Sequence, residues 1–254
     1  MRRRLRDGFA ASLLYTWSKS LDDDAQLGGQ GNLGAGAQSA VAPTPTATVA
    51  QNWLNPRAEK ALSTFDQRHL VNLQLQYTTG EGLHGGDLLN GWTGRLIKEW
   101  TVLTAVTTGS GLPETPIYLA AVPGTGFSNV IRPSLSGSSI GTMLPGHFLN
   151  SGAYSAPNAG QWGTAGRDSI TGPGQFSLNS SLARTFRPST HFSLDARVDA
   201  TNLLNHAVYS GWNTALNPIS PDCLSSCKSD SPQFGAPLAA NPMRSLQTTL
   251  RLRF

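Results

Sequence analysis

The segment 244–254 at the end of the chain constrains the fold most, because apolar and polar residues alternate through it without a break. After Arg244, its even-numbered residues are Leu, Thr or Phe, and its odd-numbered residues are Ser, Gln, Thr or Arg. Successive side chains of a β-strand point to opposite faces, so the segment predicts a strand with one apolar face and one polar, basic face. Similar alternation predicts further strands at residues 9–17, 71–77, 100–106, 176–186 and 192–201.

The composition agrees with a fold built from strands. Charged residues make up 13% of the chain, against about 25% in an average soluble domain, and the mean hydropathy is −0.22. Low charge without high hydropathy is expected when apolar residues are spread over one face of each strand. No run approaches the ~18 apolar residues that a membrane-spanning helix needs, so a chain of this kind would cross a bilayer with strands.

A cluster of arginines, at positions 2, 3, 4 and 6, lies near the start of the chain. One interpretation is a basic arm for nucleic acid or anionic lipid. No aromatic platform accompanies the cluster, so we favour a polar strand end and expect no nucleic-acid partner. Residues 1–5 would then be the stub of a strand that precedes a tight turn at Arg6-Asp7-Gly8.

The connections between the predicted strands fall into two classes. Long connections lie at residues 20–64, 110–175 and 205–243, whereas the others are short or rich in glycine. Long loops on one side of a sheet and tight turns on the other are typical of outer-membrane barrels, with the long loops extracellular. The pattern predicts an all-β, antiparallel, up-and-down transmembrane β-barrel segment with about six long strands, a stub and long external loops.

The predicted strands are too few for a closed barrel, because membrane barrels need about eight strands or more. An open sheet leaves unpaired backbone groups at two edges, which is costly in hydrocarbon. We therefore predict an incomplete barrel and a chain that is a fragment of a longer protein. The alternative is a soluble β-sandwich, such as a carbohydrate-binding module, since alternation alone does not distinguish the two folds.

Short motifs suggest chemistry when each is taken in isolation. Residues 29–34 fit G-x-G-x-x-G, residues 137–141 fit G-x-S-x-G around Ser139, and residues 22–24 are aspartates that offer oxygen ligands to Ca²⁺. The first two lack the helix that a nucleotide site or a nucleophile elbow requires, and we interpret the aspartates as a solvated loop start. We predict no catalysis, no cofactor and no metal site.

The polar faces of the last two predicted strands carry a group of charged residues. They are Asp195, Arg197, Asp199, Arg251 and Arg253. If these strands pair, the acids and the arginines face one another on the lumen side. One interpretation is a polar wall along which a substrate passes, and the other, which we favour, is salt-bridge pairing that fixes the strand register.

Two cysteines, Cys223 and Cys227, lie in the last long connection. No second pair lies nearby, so a zinc site is not indicated. An external loop is in oxidising surroundings, which favours a small disulfide at the loop tip, with free thiols as the alternative.

Several segments together resemble the TonB-dependent receptors of the outer membrane, in particular the Oar-like branch, whose members carry a carboxypeptidase-regulatory-like domain before plug and barrel. The matching segments are Tyr15-Thr-Trp-Ser-Lys-Ser-Leu-Asp22, Phe65-Asp-Gln-Arg-His69, Gly91-Trp92, Ser110-Gly-Leu-Pro113, Arg132-Pro133, Gly163-Thr-Ala-Gly-Arg167, Gly172-Pro-Gly174, Asn202-Leu-Leu-Asn-His206, Phe234-Gly235 and Phe254. No single segment is specific, but their order and spacing extend over nearly the whole chain.

The resemblance implies a function for the parent protein. Such receptors have a 22-stranded barrel, an amino-terminal plug and a short motif that an energising partner grips, and residues 1–254 resemble only the carboxyl-terminal part of the barrel. The implied function is uptake of a nutrient across the outer membrane by TonB-coupled transport. The expected partners are outer-membrane lipid, the missing barrel and plug portions, an unidentified nutrient and, only through the missing portions, the TonB-type energising protein.

Overall fold

The structure is a computed structural model that describes residues 2–4, 8–23, 51, 54–80, 92, 94, 97–126, 130–141, 146–189, 192–217 and 233–254. Its main element is a seven-stranded sheet. The strands are β1 (Arg2–Arg4), β2 (Phe9–Trp17), β3 (His69–Thr78), β4 (Trp100–Gly109), β5 (Gln175–Ser189), β6 (Phe192–Thr201) and β7 (Ser245–Arg253).

The strands lie in the sheet in the order in which they follow one another along the chain, and every neighbouring pair is antiparallel. The sheet is open, with β1 and β7 at its edges. The predicted all-β, up-and-down, incomplete barrel segment is therefore confirmed, including the stub, because β1 pairs with the first half of β2.

All three long connections leave the same end of the sheet. They join β2 to β3, β4 to β5 and β6 to β7, and the register brings the strand ends beside one another, as in the pairs Trp17–His69, Gly109–Gln175 and Thr201–Ser245. We call residues 18–68, 110–174 and 202–244 the first, second and third long loops. The opposite end, which we call the short-turn end, carries the other connections.

The register places the apolar residues of neighbouring strands on one face, because directly opposed residues of an antiparallel pair share a face. One row across the sheet consists of Phe9, Tyr77, Val102, Leu182, Val198 and Thr248. The adjacent row, on the other face, consists of Ala10, Gln76, Leu103, Ser181, Asp199 and Gln247. The sheet thus has one mainly apolar face and one mainly polar face.

Aromatic residues lie near both ends of the apolar face. Tyr15, Trp17 and Phe176 lie at the loop end, and Phe9, Tyr77, Trp100, Phe186 and Phe192 lie towards the short-turn end. Outer-membrane barrels carry such girdles where the protein surface crosses the two membrane interfaces. The strands between them are 9 or 10 residues long in β2, β3, β4, β6 and β7, which suits a tilted strand that crosses a bilayer.

No second layer covers the apolar face within the described part of the chain. Leu13, Val198 and Leu250 expose 47%, 40% and 68% of their surface, and the other four sheets are two-stranded and belong to the loops. A β-sandwich would need a second large sheet packed on these side chains. Within the described residues, no helix is long and apolar enough to cross a bilayer.

The long loops contain more regular structure than the sequence predicts. They hold the paired segments Leu21–Asp22 with Ala61–Leu62, Pro113–Glu114 with Ile170–Thr171, Ser134–Leu135 with Tyr154–Ser155, and Ile117–Tyr118 with Ala215–Leu216, as well as 3₁₀ turns at Pro56–Glu59 and Ser151–Ala153. The strand predicted at 176–186 is longer than the alternation indicates, because β5 continues to Ser189 through a register shift after Phe186.

The two faces of β3 provide a matched test of this orientation. Leu73 lies on the apolar face opposite Leu13 and Val106, and the adjacent Gln74 lies on the polar face. Leu73→Arg should destabilise the folded protein in lipid vesicles by about 2–4 kcal/mol, whereas Gln74→Arg should have little effect. The measurement is urea unfolding of the complete protein in vesicles, and equal losses from both variants would contradict the assignment of faces.

Candidate functional site

The hydrophobic core of the chain lies in the long loops and not in the sheet. The core cluster consists of Tyr118, Val122, Ile131, Leu149, Ala153, Tyr154, Ala165, Ile170, Trp212, Leu216 and Phe234, all from the second and third loops. Among the buried hydrophobic residues of the described regions, only Ala200 lies in a strand of the main sheet. We call the described parts of the three long loops, which pack together at one end of the sheet, the loop layer.

Polar contacts fasten the loop layer to the end of the sheet. The backbone N–H of Ser20 donates to Asp66 Oδ1 at 2.6 Å. The side-chain amide of Gln67 donates to the carbonyl of Ser110 at 3.1 Å, and the N–H of His69 donates to the Ser110 hydroxyl at 3.2 Å. These contacts join the first loop to the second at the point where β3 and β4 meet the loop layer.

Two glycines allow segments of the second loop to pack backbone against backbone. A Cβ on Gly111 would lie 1.8 Å from the Gly172 carbonyl oxygen, and one on Gly163 would lie 1.9 Å from that of Arg132. The N–H of Gly172 donates to Leu112 O at 2.8 Å. Any side chain at either glycine would force the two segments apart, which explains the residue type at both positions.

A buried ion pair joins the first and second loops. The Arg132 guanidinium donates to both oxygens of Glu59 at 2.5 and 2.7 Å, with side-chain exposures of 5% and 0%. Gln51 completes the site, because its side-chain oxygen accepts from the N–H of Arg132 at 2.8 Å and its own N–H donates to Glu59 at 3.1 Å. A planar, two-bonded pair of this kind fixes orientation as well as distance.

A second buried arginine, Arg167, holds several groups of both loops. It donates to the Asp168 carboxylate at 3.1 Å, to the Asp22 carboxylate, and to the Glu59 carbonyl at 3.2 Å. The Thr115 hydroxyl donates to Asp168 at 2.9 Å. Burial raises the pKa of Asp168, while the bond from Thr115 and the charge of Arg167 act in the opposite direction.

Glu114 joins the second loop to the third. Both of its carboxylate oxygens accept from the N–H of Trp212, at 3.1 and 3.2 Å. Burial raises the pKa of Glu114 from 4.5 to about 7, and the bond from Trp212 opposes that shift. The Trp212 indole N–H donates to Thr171 O at 3.2 Å, and its ring stacks on Phe148 at 4.1 Å.

A cavity of about 540 Å³ opens between the first and second loops. Its lining includes Gln51, Glu59, Arg132, Gln161, Trp162 and Thr164. The buried Glu59–Arg132 pair therefore forms part of its wall, beside an indole ring and amide and hydroxyl groups. Such a lining can hydrogen-bond a polar ligand and stack on an apolar part of it.

The charged residues predicted on the polar face come together on β6 and β7. Asp195 lies opposite Arg251 in the register and forms an ion pair with Arg253 at 2.8 Å. Arg197 pairs with Asp199 of its own strand at 2.7 Å. That these side chains line a lumen stays a prediction.

The described residues of the other sequence motifs make contacts within the loop layer. The Ser139 hydroxyl donates to Gly141 O at 3.2 Å within its own loop. No group of three or more His, Cys, Asp or Glu residues suited to a metal occurs in the described regions. The solvated loop start is wrong for Asp22, whose carboxylate binds Arg167. Residues 29–34, Cys223 and Cys227 lie outside the described residues, so the disulfide stays a prediction.

The most tightly held charges of the loop layer were not predicted from the sequence. Arg132 and Arg167 fall within segments that carry the family resemblance, which was a usable signal. Glu59 and Glu114 fall in no such segment, and no spacing marks them. Their roles follow from contacts between residues far apart in the chain, such as the pair formed by Glu59 and Arg132.

An open antiparallel sheet with one apolar face, aromatic residues at both ends and long loops at one end defines the wall of an outer-membrane barrel. The model of the family described as "Outer membrane beta barrel domain" matches residues 1–247, and the chain belongs to this family. The protein is therefore an outer-membrane protein of the kind found in Gram-negative bacteria. Neither a curated protein nor a solved structure matches the chain.

The Glu59–Arg132 pair should control the order of the loop layer. Arg132→Met leaves a buried carboxylate without its counter-charge and should cost about 3–5 kcal/mol of local stability. The double variant Glu59→Gln/Arg132→Met should recover part of that loss, and Arg197→Met, which breaks an exposed pair, should cost at most about 1 kcal/mol. Hydrogen exchange of residues 130–170 measures the effect, and unchanged protection in Arg132→Met would refute the role.

Glu114 should make the loop layer less stable as the pH rises. The folded-state pKa of Glu114 lies above its ordinary value. Its contribution to the free energy of unfolding is therefore complete below about pH 4.5 and is lost as the pH rises through about 7. The melting temperature of the aromatic near-ultraviolet circular dichroism signal should therefore fall between pH 5 and pH 8. Glu114→Gln, which stays neutral, should flatten that decline, and a variant with the wild-type slope would rule out Glu114 as its source.

Proposed function

We propose that this chain forms part of the barrel wall and the external loops of a receptor that takes up a nutrient by TonB-coupled transport. The observation that carries the proposal is the ordered loop layer, whose buried ion pairs and own hydrophobic core hold it at one end of the sheet. A passive pore needs no such rigid external surface. A receptor does, because a preorganised surface avoids the entropic cost of ordering loops when ligand binds.

The segments that resemble TonB-dependent receptors support the same proposal through their contacts. The Phe65–His69 and Ser110–Pro113 segments meet at the end of the sheet. Arg132 and the Gly163–Arg167 segment surround the buried charges of the first and second loops. The resemblance thus falls on residues that build the loop layer, the part of the molecule that an external ligand would reach first.

The nutrient would contact the loop layer at the cavity between the first and second loops. Trp162 offers a ring for stacking, and Gln161 and Thr164 offer hydrogen bonds beside the Glu59–Arg132 pair. The ion pairs Asp195–Arg253 and Arg197–Asp199 lie on the polar face of the strands. Because these charges already neutralise one another, we do not assign them to binding substrate. We assign Asp195–Arg253, which joins β6 to β7, to holding the strand register.

The remaining partners follow from the open sheet. The edge strands β1 and β7 would pair with the rest of the barrel, and outer-membrane lipid would cover the apolar face. The energising protein would act through a plug that residues 1–254 do not resemble. Neither nucleic acid nor catalysis has a place in this proposal.

A genetic comparison tests the coupled transport. The gene is deleted, and growth is measured with siderophore-bound iron, glycans or peptides as the limiting nutrient, beside a strain that lacks the energising protein. Both strains should lose growth on the same nutrient, and the complete gene should restore it only when the energising protein is present.

One result would contradict the coupled transport, and another would contradict the placement of the nutrient site. One is a nutrient defect in the deletion strain that the intact energising system does not influence, which would indicate a passive pore. The other is wild-type uptake by Trp162→Ala, with Phe148→Ala as the control for an aromatic side chain elsewhere in the loop layer. The second result alone would move the nutrient site without affecting the coupling.

A further inference from the structure

A cationic side chain lies on the apolar face of the sheet, close to its short-turn end. Arg184 of β5 is opposite Trp100 of β4 and Ala196 of β6, and all three belong to the apolar parity of their strands. A charge in this position is costly in contact with hydrocarbon unless it lies at the interface or has an anionic partner. The position of Arg184 near the short-turn end of the sheet is therefore informative.

Aromatic rings hold the Arg184 guanidinium in place. Its central carbon lies 5.3 Å from the centre of the Trp100 ring and 4.5 Å from that of Phe186. Both rings belong to the aromatic residues at the short-turn end of the apolar face. The guanidinium thus lies at the level where lipid head groups meet the acyl chains, since aromatic girdles mark that level in barrels.

A cavity of about 740 Å³ adjoins this guanidinium. Lys98 and Arg187 add two further cations to its wall. Among the described residues that line the cavity, Glu99 is the one acidic residue, so these residues carry a net charge of +2. Phe192 and Leu194 supply an apolar part of the wall on the same face. The cavity therefore combines a positive end with an apolar surface that continues into the membrane-facing side.

We propose that this cavity binds the phosphodiester head group of an anionic phospholipid, with Arg184 as its main contact and Phe192 and Leu194 against the acyl chain. Guanidinium groups bind phosphate oxygens through paired hydrogen bonds, and long basic side chains reach the interface from an apolar surface. The lining residues lie on β5 and β6 and directly before β4, in the interior of the sheet, so strands added at either edge would not cover the site. The lipid that covers the rest of the apolar face can therefore also occupy this cavity.

Glu99 sets the strength of this site. It forms an ion pair with Arg187 at 2.9 Å and is the one carboxylate among the described residues of the wall. Removing its charge raises the net charge of the wall by one without removing any cation. Each basic charge near a lipid surface changes the affinity for anionic lipid by about fivefold.

Lipid retention in bilayer nanodiscs tests the proposal on the complete protein. The discs contain phosphatidylcholine with either phosphatidylglycerol or phosphatidylethanolamine. Detergent is added in steps to remove lipid from the protein, and mass spectrometry counts the lipid molecules that stay bound. Phosphatidylglycerol should be retained preferentially. Arg184→Gln should reduce that preference about fivefold, Glu99→Gln should increase it, and Arg197→Gln, on the polar face, should leave it unchanged.

The variants separate lipid binding from folding and from free phosphate. A gain of retention in Glu99→Gln cannot come from misfolding, so its absence counts against the site even if Arg184→Gln is poorly folded. Equal retention of phosphatidylglycerol by wild type and Arg184→Gln would overturn the proposal. Displacement of the bound phosphatidylglycerol by inorganic phosphate at the same concentration as the lipid would overturn it as well, because the site would then bind free phosphate and not a lipid. None of these results depends on nutrient transport.

Discussion

The strand register is the constraint on which the rest of the structure depends. Directly opposed residues of neighbouring strands lie on the same face of the sheet. The row from Phe9 to Thr248 is therefore mainly apolar, and the row from Ala10 to Gln247 is mainly polar. A slip of one residue in any pair would turn a whole strand over. Salt bridges such as Asp195–Arg253 add specificity to the pairing of β6 with β7, where a long loop and not a tight turn joins the strands.

The loop layer supplies what the sheet lacks, a core that is shielded from solvent. A single-layer sheet buries little against itself, so the buried apolar residues come from the second and third loops. The first loop joins them through charges, because Glu59 and Asp22 meet Arg132 and Arg167. Buried ion pairs of this kind contribute little to the net free energy of folding. They favour one arrangement of the loops, because any arrangement that breaks a pair leaves a buried, unpaired charge. A fixed external surface of this kind supports the receptor function that we propose.

The sheet was predictable from the sequence, and the loop layer was not. Alternation located β2 and β6 closely, and the connection lengths indicated which strand ends share a side. The loop sequences have no hydrophobic periodicity from which buried residues could be recognised. Phe234 and Leu216 therefore cannot be distinguished in the sequence from exposed loop residues, although both are buried in the structure. Arg184 was visible as an exception to the apolar parity of β5, but its meaning came only from Trp100 and Phe186 beside it.

The medium that covers the apolar face decides whether the sheet is a barrel wall. Nitroxide labels placed one at a time at Leu73, Gln74, Leu75 and Gln76 of β3 measure it directly, through collisions with oxygen, which dissolves in lipid, and with a nickel chelate, which stays in water. We predict high oxygen and low nickel accessibility at Leu73 and Leu75, and the reverse trend at Gln74 and Gln76. Low accessibility to both reagents at Leu73 and Leu75 would show a dry protein interior there and would contradict the account.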